Sequence, residues 1–310
     1  MCKCAPEEII HCNRAGLRAL PGEIAASTVS LNLSNNYLRI LTTNTFRNLT
    51  FLHSLWLDGN NLTFLSPGTF HALSKLRELH LSRNSRLTYL HANTFRGLLN
   101  LISLDLSHCN IFEIHPLLFS HLPSLERLDL ASNNMRYVPQ AFRNLSSLTR
   151  NLYLNNNQIS SISDSAFASL NKLHFLHLSK NNLSSLPIRL FAELPKLKYV
   201  FLSHNPWRCD CKMLWFWRWS ATRRGAVEGL HCAFPGPRNA TATDAPRPGD
   251  PTDCTVPPEL ASEDKCWVAG TSLAPRPPAL PSKVALLALV CHAWYFARGW
   301  DTSVATFDNV

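Results

Sequence analysis

The segment Leu52–Leu62 reads LHSLWLDGNNL, and its spacing of leucines decides the fold. Leucines at the first, fourth and sixth positions are followed by Asn60 at the ninth and by a leucine at the eleventh. Because successive side chains of a β-strand point to opposite faces, the alternation around Trp56 predicts a short strand with one buried face. The amide of Asn60 both donates and accepts, so we expect it to satisfy buried backbone groups where the strand ends.

This pattern recurs about every 24 residues between Thr28 and Trp207. Cys109 replaces the asparagine in the fourth copy, and we expect it to be a buried structural thiol. One phenylalanine per repeat predicts a stacked aromatic row behind the strands: Phe46, Phe70, Phe95, Phe119, Phe142, Phe167 and Phe191. The complete copies begin at Leu52, Leu76, Leu101, Leu125, Leu148 and Leu173, and weaker copies lie around Leu31 and Leu197.

One repeat cannot bury its apolar face alone, so the copies are expected to stack into a continuous core. The period and the motif resemble those of leucine-rich repeats. The resemblance implies an α/β solenoid, a curved horseshoe with a parallel inner sheet and disulfide caps. One step is irregular, because four residues separate Leu148 from Leu152 where the other copies use three. A local bulge and a seam left by the loss of whole repeats both account for it.

Cysteines cluster at the two ends of the repeat array, where a solenoid needs caps. Cys2, Cys4 and Cys12 precede it, and Cys209, Cys211, Cys232 and Cys254 follow it. Residues 2–254 therefore resemble extracellular leucine-rich-repeat proteins with cysteine-rich caps. The resemblance implies disulfides Cys209–Cys232, Cys211–Cys254 and Cys2–Cys12, with Cys4 left over. The missing upstream cysteine and signal peptide suggest an N-terminus that is trimmed or mis-started.

The composition divides the chain into four predicted segments. They are an N-terminal cap (1–27), about seven to eight repeats (28–204), a C-terminal cap (205–254) and a Pro/Ala-rich tail (255–310). The apolar stretch Val284–Ala297 has 14 residues, whereas spanning a bilayer takes roughly 20. This stretch is either a remnant of a membrane anchor or an altered C-terminus, and both interpretations stay open. The sequence also leaves open the disulfide partners of Cys4, Cys266 and Cys291.

The ten cysteines of the chain predict an oxidising, extracellular or cell-surface location. Zinc binding by the Cys209-x-Cys211 pair with His231 and Cys232 is disfavoured, because the spacing does not match common zinc fingers. Sequons for N-glycosylation agree with the secretory pathway and occur at Asn32, Asn48, Asn61, Asn144, Asn182 and Asn239.

The outward-facing side chains of the parallel sheet form a surface that we call the sheet face, on the concave side of the predicted horseshoe. Between the second and third leucine of each copy, one residue points outward. These residues are Asn32, Trp56, His80, Asp105, Asp129, Tyr153, His177 and Phe201, with Asp58, Arg77, Arg127, Lys180, Lys198 and Tyr199 beside them. Trp56, His80, Asp105, Asp129, Tyr153, His177, Tyr199 and Phe201 are the predicted partner-binding residues, because exposed aromatic groups mark binding surfaces.

The net charge of +9 suits heparan sulfate, an acidic protein or anionic lipid, and a solvated surface explains it equally well. Part of the excess lies near the C-terminal cap, at Arg208, Lys212, Arg218, Arg223, Arg224 and Arg238. The sequence shows no nucleophile motif or phosphate-binding loop, so no enzyme activity, cofactor, metal or nucleic-acid partner is predicted.

Within the extracellular family the resemblance is to nyctalopin and, more loosely, to the Nogo receptors. It rests on Tyr89–Phe95, Asn205–Cys211 and Pro258–Leu260. It implies a cell-surface recognition module of a neuronal or synaptic kind that binds a protein ligand and has no catalytic activity of its own. The alternative is a matrix protein that binds collagen or glycosaminoglycan.

Overall fold

The computed structural model describes residues 2–22, 24–188, 190–191, 194–208, 213–221 and 225–230, without the side chains of residues 214, 217, 218 and 221. All of these residues fall within Met1–Val268, the first of the two units into which the chain divides. The helices are a 3-10 helix at Gln140–Asn144 and α1 at Leu214–Ala221. The strands are β1 (Lys3–Ala5), β2 (Ile9–His11), β3 (Ser30–Asn32), β4 (Ile40–Leu41), β5 (Ser54–Trp56), β6 (Phe64–Leu65), β7 (Glu78–His80), β8 (Ser103–Asp105), β9 (Arg127–Asp129), β10 (Asn151–Tyr153), β11 (Phe175–His177), β12 (Tyr199–Phe201) and β13 (Val227–Glu228).

Eleven of these strands form one sheet in the order β1-β2-β3-β5-β7-β8-β9-β10-β11-β12-β13. Only β1 and β2 pair in antiparallel fashion, and every other pair in this sheet is parallel. A second sheet of two strands joins β4 to β6. The eight strands of the repeats lie side by side in chain order, which confirms the predicted solenoid with a parallel inner sheet.

The core is a continuous stack of leucines behind this sheet. The central residue of each repeat strand is fully buried, from Leu31 and Leu55 to Leu176 and Val200. The predicted phenylalanine row is buried as well, with Phe46 and Phe70 stacked at 5.9 Å and Phe70 and Phe95 at 6.2 Å between ring centroids.

The repeat asparagines tie neighbouring repeats together. The side-chain nitrogen of Asn60 donates to the carbonyl oxygens of Leu57 in its own repeat and of Leu33 in the preceding one. Its side-chain oxygen accepts the backbone N–H of Leu38 at 3.1 Å. The same arrangement recurs at Asn84, Asn157, Asn181 and Asn205. These bonds satisfy backbone groups that burial would otherwise leave unpaired.

The irregular step before β10 does not disturb the sheet. Leu148 and Leu152 are both fully buried, and β10 stays in register with β9 and β11. The backbone N–H groups of Arg150 and Asn151 donate to the carbonyl oxygen of Glu126, as their equivalents do in other repeats. The extra residue is therefore accommodated between Leu148 and β10, as a local bulge.

The ends of the array are covered by different structures. At the N-terminal end the β1–β2 hairpin joins the sheet, and a disulfide links Cys2 to Cys12. At the other end Trp207 is fully buried and donates its indole N–H to the carbonyl oxygen of Leu202. Trp219 of α1 packs on Phe191 with ring centroids 4.8 Å apart. The segment boundaries at 27, 204 and 254 stay predictions.

Candidate binding surface on the parallel sheet

The sheet register aligns the predicted outward residues in one row. Asn32 pairs with Trp56, Trp56 with His80, His80 with Asp105, and the row continues through Asp129, Tyr153 and His177 to Phe201. Because strand residues alternate between faces, the first residue of each strand points outward too and forms a parallel second row. Arg127, Asn151, Phe175 and Tyr199 belong to this second row.

Aromatic side chains concentrate in the C-terminal half of the sheet face. The ring of Phe175 lies 5.0 Å from Tyr153 and 5.1 Å from Phe201, centroid to centroid. His177 lies 5.2 Å from Phe201 and 6.3 Å from Tyr153. Tyr199, which is 46% exposed, neighbours Phe175 in the sheet register. We call these five residues the aromatic cluster.

Phe175 is a central member of the aromatic cluster that the sequence reasoning missed. The predicted binding residues come from the position between the second and third leucine of each copy, except for Tyr199, which precedes the second apolar position of its copy. Phe175 precedes the second leucine of its copy, where strand alternation also directs a side chain outward. The signal was thus present in the sequence, at Phe175 and at the equivalent Tyr199.

Arg127 orients the side of the aromatic cluster that faces β9. Its guanidinium lies 4.7 Å from the centroid of the Tyr153 ring, a cation–π contact. The same group pairs with Asp129 at 3.4 Å. The Tyr153 hydroxyl accepts a hydrogen bond from the side-chain amide of Asn151 at 3.2 Å. Tyr153 is therefore held at both its ring and its hydroxyl.

The N-terminal half of the sheet face is acidic. The imidazole of His80 stacks on the indole of Trp56, with centroids 5.5 Å apart and an interplanar angle of 8°. Nδ1 of His80 lies 3.9 Å from Oδ2 of Asp105, and Nε2 lies 3.9 Å from Oε2 of Glu78. Asp58 accepts hydrogen bonds from the backbone N–H and the hydroxyl of Ser82 at 3.0 and 2.8 Å.

This environment shifts the pKa values of the groups in the middle of the row. Burial opposes protonation of His80, but the contact with Asp105 and the charges of Asp58 and Asp105 outweigh it and raise the His80 pKa. Burial also disfavours the charged form of Asp105, yet the contact with His80 and the hydrogen bond from Ser107 lower its pKa. At Asp129, burial and the Asp105 charge raise the pKa in spite of the hydrogen bond from Ala131.

His177 responds in the opposite sense to His80. Burial within the aromatic cluster lowers its pKa, and the charge of Lys180 lowers it further, while Glu228 acts against both. At neutral pH the two ends of the row therefore differ in chemistry. One end holds carboxylates around an imidazole, and the other presents neutral aromatic rings with Lys180 and Lys198 exposed nearby.

The predicted modification sites have varied surroundings. Asn48, Asn144 and Asn182 are exposed, and Asn61 is half-buried. Asn32 is half-buried on the sheet, and its side-chain oxygen accepts the backbone N–H of Ser34. Outside the described residues lie Asn239, the side chain of Arg218, the basic residues Lys212, Arg223, Arg224 and Arg238, and the cysteines Cys209, Cys211, Cys232, Cys254, Cys266 and Cys291. The apolar stretch Val284–Ala297 lies outside them too. Of the helices in the described part, none combines the length and apolar character that crossing a bilayer requires.

A parallel β-solenoid whose strands recur about every 24 residues is the architecture of a repeat protein. The family model described as "Leucine rich repeat" matches residues 50–111, 100–150 and 149–206. The chain belongs to the leucine-rich-repeat proteins.

Known relatives are surface proteins by their names. The chain is 32% identical to rat (Rattus norvegicus) leucine-rich repeat transmembrane protein FLRT2, over 68% of this chain and 25% of that protein. It is 36% identical to human (Homo sapiens) reticulon-4 receptor-like 2, a Nogo-receptor-like protein, over 29% of this chain and 21% of that protein. The chain thus spans about a fifth to a quarter of the length of these curated relatives.

A solved structure matches more of the fold. The crystal structure of human 5T4, also called trophoblast glycoprotein, superimposes with a TM-score of 0.66 at 32% identity. The match covers 76% of this chain and 91% of that structure. The fold of this chain is therefore similar to that of human 5T4 over about three quarters of the chain.

Proposed function

We propose that this chain is an extracellular protein-binding module, of the cell-surface receptor or adhesion type, that recognises a protein partner on the sheet face. The observation that carries the proposal is the aromatic cluster. Tyr153, Phe175, His177 and Phe201 contact one another on an open sheet, and Tyr199 extends their surface towards solvent.

The chemistry of the aromatic cluster favours protein binding. Tyrosine and phenylalanine bury large areas while few torsions are frozen, which is why aromatic residues dominate binding hot spots. Tyr153 is already held in place by Arg127 and Asn151, so its ordering costs little when a partner docks. A rigid aromatic surface of this kind suits the apolar side chains of a protein better than a flexible, fully charged ligand.

Charge along the row defines the partner further. Along the sheet, the acidic groups Asp58, Glu78, Asp105 and Asp129 lie on one side of the aromatic cluster, Lys180 and Lys198 flank its own strands β11 and β12, and Glu228 is paired with Phe201 beyond it. We expect a partner that places apolar side chains on the aromatic cluster and a basic group over the acidic half. Opposite charges set in this order fix the orientation of binding more than its strength.

The relatives support the same class of function. Their names include a receptor-like protein and a transmembrane protein, and the proposal extends this to a cell-surface location for the present chain. The finer resemblance to nyctalopin, with its neuronal or synaptic setting and cysteine-rich caps, is part of the proposal. Membrane attachment and heparan sulfate binding are predictions that rest on residues outside the described part of the chain. The matrix alternative, with collagen or glycosaminoglycan as ligand, has no observation on the sheet face in its favour.

An ectodomain binding screen tests the proposal. The secreted chain is probed against an array of cell-surface and secreted ectodomains, and each hit is measured again with variants. Phe175→Ala and Tyr153→Ala should weaken binding of the partner by about 2 kcal/mol each, the scale of a hot-spot residue. Phe64→Ala and Tyr89→Ala are controls, because these aromatic residues are more exposed than Phe175 and Tyr153 but lie away from the sheet face. A partner whose affinity falls with the controls and not with the cluster variants contradicts the proposal.

A further inference from the structure

Three side chains with metal-ligand chemistry converge in the acidic half of the sheet face. They are Asp58, His80 and Asp105, and we call them the Asp–His group. One potential ligand atom from each lies within 4.8 Å of the other two. The sheet register causes this convergence, because His80 and Asp105 are paired positions on adjacent strands and Asp58 lies two residues after the end of β5.

Each member of the Asp–His group is held from outside the group. Oδ1 of Asp58 accepts two hydrogen bonds from Ser82, which leaves Oδ2 with a single long contact of 3.3 Å to the Ser34 hydroxyl. Oδ1 of Asp105 accepts the backbone N–H of Ser107 at 2.9 Å, while Oδ2 faces the imidazole of His80. Both carboxylates are thus fixed through Oδ1, while Oδ2 makes only a long contact.

The imidazole is oriented in two further ways. The indole of Trp56 stacks on one side of the ring and sets its plane. Glu78 places a carboxylate oxygen 3.9 Å from Nε2 of His80. A carboxylate beside the histidine nitrogen that does not bind the ion is the usual outer partner of a metal-bound histidine.

The charge of this region is unbalanced. Among the described residues, Asp58 forms no ion pair, and the only ion pair of Asp105 is with His80. The guanidinium of Arg127, on the neighbouring strand β9, pairs with Asp129 instead. Three carboxylates, those of Asp58, Glu78 and Asp105, therefore surround one imidazole, and a bound cation would offset their repulsion.

We propose that the Asp–His group binds one divalent transition-metal ion, with zinc as the best-matched ion. One imidazole nitrogen and two carboxylate oxygens are ligands that zinc accepts, and three protein ligands leave a coordination position open on the sheet face. Calcium prefers six to eight oxygen ligands, more than this group offers. Ligand atoms around zinc are about 3.3 Å apart in a tetrahedron, so rotations of the side chains close the present separation. Zinc binding at this site is independent of the proposed protein-binding function, because it requires no protein partner.

Zinc binding by the secreted full chain tests the site. Calorimetric titration with zinc chloride should show one saturable equivalent below about 0.1 mM. His80→Gln and Asp105→Asn should each weaken binding at least about tenfold, and Glu78→Gln should do so less. His177→Gln and Asp129→Asn are matched controls from the same row, and they should change the affinity less than about twofold.

Cobalt substitution gives a second readout that does not depend on affinity. Cobalt bound by nitrogen and oxygen ligands lacks the thiolate charge-transfer band that a cysteine site such as Cys4 would produce. Thermal unfolding of each variant verifies that it folds. The proposal is overturned by the absence of saturable binding, by binding that survives His80→Gln and Asp105→Asn, by equal loss in the controls, or by a thiolate band.

Discussion

The backbone N–H of Leu87 donates to the carbonyl oxygen of Asn84 within its own repeat, at 2.8 Å. In other repeats the equivalent N–H reaches across to the next asparagine, as that of Leu62 does to Asn84 at 3.3 Å. The residue across from Leu87 is Cys109, which has no side-chain oxygen to accept such a bond. One extra residue between Asn84 and Leu87 makes the local bond possible. The insertion and the cysteine therefore compensate for each other.

This compensation predicts that the two irregularities are coupled. Cys109→Asn alone would bury a side-chain oxygen without the N–H of Leu87 as its donor, at a cost of about 1–3 kcal/mol. Deleting Arg86 alone should also destabilise the protein, since the N–H of Leu87 would then face the Cys109 thiol. The double variant restores the regular repeat and should be more stable than the sum of the single changes by at least about 1 kcal/mol. Urea unfolding of the four proteins measures this coupling, and additive effects would refute it.

Asn133 is predicted to matter far more than Cys109. Its side-chain oxygen accepts the N–H groups of Cys109 and Ile111, and its nitrogen donates to the carbonyl oxygens of Leu106 and Leu130. Asn133→Ala leaves the N–H groups of Cys109 and Ile111 and the Leu106 carbonyl unpaired, because only Leu130 keeps a second donor in Asn157, and it should cost at least about 3 kcal/mol. Cys109→Ala, which removes a thiol that contacts the Leu81 carbonyl, should cost about 1 kcal/mol. Comparable urea midpoints for the two variants would contradict the assigned role.

The Cys109 thiol is expected to be inert in the folded protein. Burial raises its pKa to about 12, so only about one thiol in ten thousand is ionised at pH 8. Peptide mapping after alkylation at pH 8 should show Cys109 labelled only in denaturant. Cys4, a free and exposed cysteine, is the internal comparison and should be labelled without denaturant. Rapid native labelling of Cys109 would mean that the repeat opens locally.

The sequence sufficed for the solenoid because every repeat carries the same constraint. A one-residue slip of a strand would expose its leucines, so the leucine spacing determines both the strands and their register. The row from Trp56 to Phe201 follows directly from that register. Phe175 was missed because the outward position before the second leucine was considered at Arg127 and Tyr199 but not in the copy that begins at Leu173, although the pattern of the sequence contains it.

Other features need coordinates because they depend on side-chain conformation. The stacking of Trp56 on His80 and the contact of Arg127 with Tyr153 join residues from different repeats, and nothing in the leucine pattern requires them. The extra residue before Leu87 looks like ordinary loop variation until its hydrogen bond is seen. Insertions in a repeat protein are therefore best judged by where the displaced N–H groups bond.

Gly97 lies so close to the backbone of His71 that a side chain does not fit there. Its φ is +96°, and a Cβ there would lie 2.5 Å from the carbonyl oxygen of His71. Gly97→Ala should therefore cost more than about 2 kcal/mol. Gly68→Ala isolates the effect of the clash, because Gly68 also has a positive φ of 77° but its Cβ would meet only ordinary contacts. Equal losses of stability would show that the close approach to His71 is unimportant.

Protonation of His177 is expected to make the stability of the aromatic cluster depend on pH. Because burial lowers its pKa in the folded protein, the unfolded chain takes up a proton first as the pH falls. The stability that neutral His177 provides is fully present above its unfolded pKa of about 6.5, is lost as the pH falls below that value, and is gone below the folded pKa. The stability difference between the native chain and His177→Gln should shrink or change sign between pH 7.5 and 5.

In an NMR titration, Glu228→Gln should lower the His177 pKa further, since the Glu228 charge raises it, and Lys180→Met should raise it. Partner binding through the cluster should weaken over the same pH range, because a protonated imidazole among buried rings is costly to desolvate. If the titration gave a His177 pKa at or above 6.5, protonation of a buried imidazole would not explain weaker partner binding at low pH, and this prediction would be wrong.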